Sequence, residues 1–185
     1  MFLRRGFHGA SLDEIAAEAG YTKGAVYSNF RGKDDLFLAL LEEHYARRTG
    51  AYAELIFEGE DLEEVSRSIA RYMLDSYERE PAWWTLTSDF GTHASTDSEL
   101  RERLRVIRER FFDAVAEVIE KAARRHGITY TLPAKEIARG NSALMRGMVT
   151  DWILAPDAQR AAVFEEMVAA YLRGAAVPLD EGSTT

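Results

Sequence analysis

Thr22-Lys23-Gly24-Ala25-Val26-Tyr27-Ser28-Asn29-Phe30 places an ammonium, two hydroxyls, a carboxamide and a phenol within nine residues, separated only by small or apolar side chains. Such groups donate to or bridge polar edges; none is a nucleophile with a neighbouring base. Histidines His8, His44, His93 and His126 are scattered, with no pair at i, i+4. No G-x-S-x-G turn or phosphate-cradling glycine loop is present. The chain has no cysteine, which excludes thiol nucleophiles, disulfides and thiolate metal sites. Asp89-Phe90-Gly91 resembles a kinase metal motif without its companions, and Asp89 with His93 supplies two ligands where a metal needs more. The expectation is a protein that binds rather than one that catalyses, with no metal and no cofactor.

The polar run needs a scaffold. Ser11 stands before Leu12, Ile15, Ala16 and Ala19, a capping residue followed by one apolar face with Asp13 and Glu14 in the first turn. Gly20 ends that helix by tolerating positive φ, and Thr22 caps a second one expected over Lys23–Phe30. There Val26 and Phe30 face inward while Lys23, Gly24, Ala25, Ser28 and Asn29 face solvent. Two short helices joined by a glycine-containing turn form a helix-turn-helix, whose second helix enters the DNA major groove. Lys23 can donate to guanine O6 or N7, Asn29 can pair with adenine, and Ala25 is small enough for close approach or a thymine methyl. Thr22, Tyr27 and Lys33 flank this face and can clamp phosphates.

Charge over the whole chain argues the other way. Its 185 residues carry 23 basic and 31 acidic side chains, a net −8. Residues 1–50 are balanced at seven of each sign, so the entire excess belongs to 51–185. With 46% hydrophobic residues the chain can bury a real core. No charge-free run approaches the length of a membrane span and no leader peptide is evident, so a soluble cytoplasmic protein is expected.

Phe7-His8-Gly9-Ala10-Ser11-Leu12, Ile15-Ala16, the run Ala19 to Phe30, and Lys33-Asp34-Asp35-Leu36 together closely resemble the DNA-binding domain of TetR-type transcriptional regulators. The resemblance implies a homodimeric repressor that binds a palindromic operator in double-stranded DNA and has a helical C-terminal domain for ligands and dimerisation. It also implies that Thr22, Tyr27 and Lys33 contact phosphates, while Lys23, Gly24, Ala25, Ser28 and Asn29 belong to the reading helix. Asn29 stands where the family often has His. The family has a full first helix before this motif, whereas Phe2-Leu3-Arg4-Arg5-Gly6 looks like a last turn and its cap. The native polypeptide is therefore expected to have roughly ten to twenty more residues.

Beyond the motif, steps of three and four predict helices over Lys33 to about Phe57, Leu62–Glu80, Pro81–Thr92, a longest one from about Leu100, Pro133–Leu154 and Asp157–Arg173. Asp61 and Glu64 form a capping box at one start. Ile128–Thr131 alternates like a strand but is too short to found a sheet. The expected class is all-α. A helix-turn-helix domain (1–45) precedes a helical-bundle ligand-binding and dimerisation domain (46–176) and a flexible tail (177–185). Large soft side chains, Tyr72, Met73, Trp83, Trp84, Phe90, Phe111, Met145, Met148 and Trp152, are candidates for a small-molecule effector pocket, with Asn141 as its polar orienting group. Val149, Ile153, Phe164, Val168, Tyr171 and Leu172 are candidates for a homodimer interface. The alternative is a regulator with a closed helical core that needs no effector or acts with a corepressor.

Overall fold

The computed structural model describes residues 1–154 and 158–178. Among these the chain forms nine helices and two short strands: α1 (Phe2–Gly9), α2 (Leu12–Glu18), α3 (Lys23–Tyr27), α4 (Lys33–Glu58), α5 (Leu62–Arg79), α6 (Pro81–Ser95), α7 (Ser98–Arg125), β1 (Ile128–Tyr130), α8 (Ala134–Leu154), α9 (Ala158–Ala175) and β2 (Ala176–Pro178). The class is all-α. No described helix is long and apolar enough to cross a membrane.

Local chemistry accounts for most boundaries. Gly6 breaks α1 at φ 69°, the left-handed region that a glycine enters without a Cβ penalty, as expected of a helix cap. Ser11 and Glu14 close a reciprocal capping box on α2, each backbone N–H donating to the other's side chain at 3.2 Å. Gly20, at φ 74°, turns the chain toward α3, which Thr22 caps by accepting from the Ala25 N–H at 3.2 Å. α3 stops at Tyr27, short of the expected Phe30. Ser28 Oγ and Asn29 Nδ2 both donate to the Ala25 carbonyl at 2.9 Å, so side chains compete for the acceptor that a further turn would use. At α5, Asp61 accepts from the Glu64 N–H as expected, but the Glu64 carboxylate takes the Glu60 N–H, one residue earlier than a capping box requires.

Ile128–Tyr130 does find a strand partner, in Ala176–Pro178, so the expected tail begins later than Val177; its remainder, 179–185, lies outside the described residues. β1 pairs antiparallel with β2, Ile128 opposite Pro178 and Tyr130 opposite Ala176. A three-residue strand cannot found a sheet, but it can satisfy its backbone groups on a partner that returns from far along the chain.

The chain divides into two compact units. The first comprises Met1–Ala46 with Arg79–Glu109, and the second Arg47–Glu78 with Arg110 onward. The first thus extends beyond a boundary at 45, because its core is shared by two distant stretches of sequence. Phe2, Phe7, Phe37 and Leu41 pack with Trp83, Leu86, Phe90 and Ala94. The Phe37 and Phe90 rings lie 4.2 Å apart, and those of Phe7 and Phe90 4.9 Å. α6 is therefore a wall of the helix-turn-helix unit, supplying apolar surface that two short helices lack. The second unit buries Ile69, Met73, Phe111, Ile137, Met145 and Val168, contributed by α5, α7, α8 and α9.

Candidate nucleic-acid interface and helical cavity

On α3 and the turn after it, Thr22, Lys23, Gly24, Ala25, Tyr27, Ser28 and Asn29 are all exposed, while Val26 and Phe30 are half-buried. α3 has no fully buried residue, so it is held by its half-buried face and by its ends. Tyr27 is 52% exposed, which removes it from the core, and its hydroxyl lies close enough to Asp13 to help lower that carboxyl. The Thr22 hydroxyl accepts the capping bond and keeps its own hydrogen to donate. Asn29 Nδ2 donates to Ala25 O and, at 3.3 Å, to Ser28 Oγ, so both amide hydrogens are engaged and pairing with adenine requires their release.

Lys23 Nζ lies 2.5 Å from Asp13 Oδ2 of α2. The hydrogen bond from Lys23 holds the Asp13 carboxyl below its usual range, and the same bond raises the Lys23 ammonium. The other acids of α2 act alike. Glu14 pairs with Arg5 at 2.7 Å, and Glu18 pairs with Arg4. The Ser11 hydroxyl, then Arg5, lowers the Glu14 carboxyl.

Lys33 differs from the other expected phosphate ligands. It is half-buried, with Nζ 4.5 Å above the Phe7 ring and 3.5 Å from the His8 carbonyl oxygen. Its ammonium therefore packs on the end of α1 as well as offering charge. His93 bonds Asp34 at 3.1 Å, and no cluster of three or more potential metal ligands occurs among the described residues.

The second unit holds a narrow, mainly apolar cavity between α4, α5, α7, α8, α9 and β1. Its volume is about 50 Å³. Of the ten expected effector residues, Met73, Phe111 and Asn141 line it together, joined by Leu172 from the expected interface set. The structure places the other seven elsewhere. Trp83 and Phe90 belong to the core of the first unit, and Trp84 is buried on the same helix. Tyr72 packs edge-on against Tyr52, and Trp152 stacks on Tyr77 at 5.7 Å. Met145 is fully buried and Met148 half-buried, neither in the wall. On α8 the wall is instead Ile137, Ala138, Asn141 and Ser142, because the residues further along that stripe pack away from the opening.

Apart from Asn141, sequence reasoning missed the polar part of this wall. Arg48, Tyr52 and Ile56 recur every four residues on α4 and all line the cavity. The Arg48 guanidinium is buried, donates to the Tyr52 hydroxyl at 2.6 Å, and lies 5.8 Å from the Phe111 ring centre. That i, i+4, i+8 row was the available signal, obscured because an arginine beside Arg47 looks like a solvated charge. Asn141 Oδ1 and His126 Nε2 are buried without a hydrogen-bond partner among the described residues, and both residues line the cavity.

The expected interface residues lie mostly inside their own unit. Val149, Phe164, Val168 and Leu172 are buried, and the half-buried Tyr171 donates to the Ile137 carbonyl at 3.2 Å. The Ile153 side chain lies outside the described residues. The outward apolar row on α9 is Val163 and Met167, 57% and 49% exposed and one turn apart.

Residues 1–40 match the profile of bacterial regulatory proteins of the tetR family, and residues 62–176 match that of the BetI-type transcriptional repressor, C-terminal. The chain is 27% identical over 121 residues to the HTH-type transcriptional activator FasR of Mycolicibacterium smegmatis, covering 65% of this chain and 54% of that protein. It is 26% identical over 120 residues to the HTH-type transcriptional repressor NicS of Pseudomonas putida, covering 65% and 57%. It thus spans little more than half the length of these curated relatives. Among solved structures, the fatty acid degradation regulator FadR from Bacillus halodurans superposes with a TM-score of 0.70 at 17% identity, over 100% of this chain and 91% of that one. FadR from Bacillus subtilis, in complex with stearoyl-CoA, gives 0.66 at 17% identity over 92% and 91%. At such identities these two likenesses establish the fold.

Proposed function

Because the chain belongs to the TetR family of bacterial transcriptional regulators, which bind DNA and are not enzymes, we propose that it is a homodimeric repressor released from a palindromic operator by a small apolar effector. The cavity carries this reading. Its walls are apolar, and its few polar groups, Arg48, Tyr52, Asn141 and His126, can orient one ligand. A slender chain with a polar head suits so narrow a space better than a bulky ring system. The structural neighbour solved with stearoyl-CoA supports the same class of effector.

In the dimer, two copies of α3 enter successive major grooves about 34–36 Å apart. Thr22 and Tyr27 hold phosphates, and Lys23, Gly24, Ala25, Ser28 and Asn29 face the bases, with Lys33 adding charge at the start of α4. The pairing surface is built on Val163 and Met167 of α9, with Phe164, Val168 and Leu172 as the packed layer behind it and Tyr171 at its edge. α4 carries Lys33 near one end and Arg48, Tyr52 and Ile56 near the other, so a ligand that shifts this helix alters the reading unit. The ligand acts only through its preference for the conformer that does not fit DNA. The protein works in the cytoplasm.

The test has two steps. Thermal melts against a panel of acyl chains, acyl thioesters and small aromatics identify a stabilising ligand. A duplex selected from a random pool then reports affinity with and without it. Equal ligand affinity for free and DNA-bound protein refutes induction by linkage. Absence of stabilisation by any panel member favours the closed-core alternative.

A further inference from the structure

The three acids of α2 take up every lysine and arginine of α1–α3. Asp13 holds Lys23 from α3, while Glu14 and Glu18 hold Arg5 and Arg4 from α1. α2 thus occupies these cations with carboxylates, as phosphates would. The pairs are not equivalent. Arg4 and Arg5 lie on α1, whereas Lys23 is the first residue of the reading helix. Asp13 is itself half-buried with its second oxygen, Oδ1, shielded from solvent, and hydrogen bonding from Lys23 and also from the Tyr27 hydroxyl lowers its carboxyl. A carboxylate held by a second donor directs its Lys23 bond more narrowly than a solvated one.

We propose that Asp13 is a specificity-determining positioning residue: it tethers the Lys23 ammonium beside α3, so that Lys23 engages a base edge at one location and contributes little to indiscriminate phosphate binding. This rests on the reading above that Lys23 faces the bases. The physical reason is a difference in exchange. On arbitrary DNA, Lys23 must leave Asp13 for a phosphate, and the abandoned carboxylate then faces a polyanion. At the operator, a guanine O6 or N7 accepts from an ammonium still close to Asp13, so the pair is kept. A flexible lysine without the tether samples several phosphates and several bases.

The experiment compares the full chain with Asp13→Asn, Lys23→Ala, the double variant and Glu18→Gln. Each protein is used to select duplexes from a random pool and is titrated with a fixed non-specific duplex over a range of salt. Asp13→Asn is expected to tighten non-specific binding about threefold to tenfold at low salt. It should also blur base preference at the same half-site position that Lys23→Ala blurs. The double variant should add nothing at that position. Glu18→Gln, which frees Arg4, should tighten non-specific binding without changing any base preference. Asp13→Glu, which keeps the charge, should restore most of the preference, and circular dichroism melts establish that each variant is folded.

The proposal is overturned if folded Asp13→Asn keeps the wild-type preference while Lys23→Ala loses it, or if Glu18→Gln blurs the same position. If Lys23→Ala leaves every base preference intact, the base-facing reading of Lys23 fails and the proposal falls with it.

Discussion

Replacing Asn141 with leucine should make the free protein more stable and less responsive. The Asn141 amide is half-buried in the cavity wall; Oδ1 has no hydrogen-bond partner among the described residues, and Nδ2 has only the Met73 sulfur at 3.6 Å, a weak acceptor. A buried polar group without a partner costs about 1–3 kcal/mol. Leucine has the same number of side-chain heavy atoms and no polar group to desolvate. Because the residue is only half-buried, the gain belongs at the low end, about 1 kcal/mol, or roughly 2–4 °C in melting temperature for a chain of this size. The effector should lose in the opposite sense. A polar head facing leucine forfeits its hydrogen bond and is left desolvated, a penalty of about 1–3 kcal/mol that weakens binding roughly fivefold to 150-fold. Calorimetric melts with and without the stabilising ligand give both quantities from one set of samples. A lower melting temperature for folded Asn141→Leu would show that the amide is satisfied in the free protein. An undiminished ligand-induced shift would show that Asn141 does not orient the effector.

Other expectations follow from the same geometry. Lys33→Ala should weaken binding to all DNA sequences alike and reduce the slope of log affinity against log salt by about one per site, with a stability loss of about 0.5–1 kcal/mol from the lost contact with the Phe7 ring. A salt slope equal to wild type would assign Lys33 to packing alone. Val163→Glu or Met167→Glu should convert dimers to monomers in light scattering while leaving the helical signal intact, since both side chains point outward from α9; a dimer that survives both changes places the interface elsewhere. Glu14 titrates below its ordinary 4.5, so its stabilising contribution is complete above that pH and is lost as the pH falls through its lowered value. Glu14→Gln should therefore flatten the fall in stability below about pH 4.5 in circular-dichroism melts; an unchanged acid dependence would mean that ionisation of Glu14 adds nothing to stability.

The short-range features of this protein are written in its sequence because their causes are short-range. Ser11 with Glu14, Gly20 and Thr22 each act on a backbone group within a few residues, so the beginning and end of α2 and the start of α3 are readable from residue types alone. The spacing of apolar side chains places the long helices for the same reason, and the motif from Phe7 to Leu36 carries the family. Tertiary structure decided what those signals cannot contain. Trp83 and Phe90 have the composition of a ligand pocket, yet they pack on Phe7 and Phe37, so α6 completes the helix-turn-helix unit. Arg48 looks like a surface charge and is buried against Tyr52 at the cavity. Phe164 and Val168 look like a partner surface and are fully buried, leaving Val163 and Met167 outward. β1 exists as a strand only because β2 reaches it. In each case a helix or strand pattern specifies which side chains share a face, and contacts between residues distant in sequence determine what that face meets.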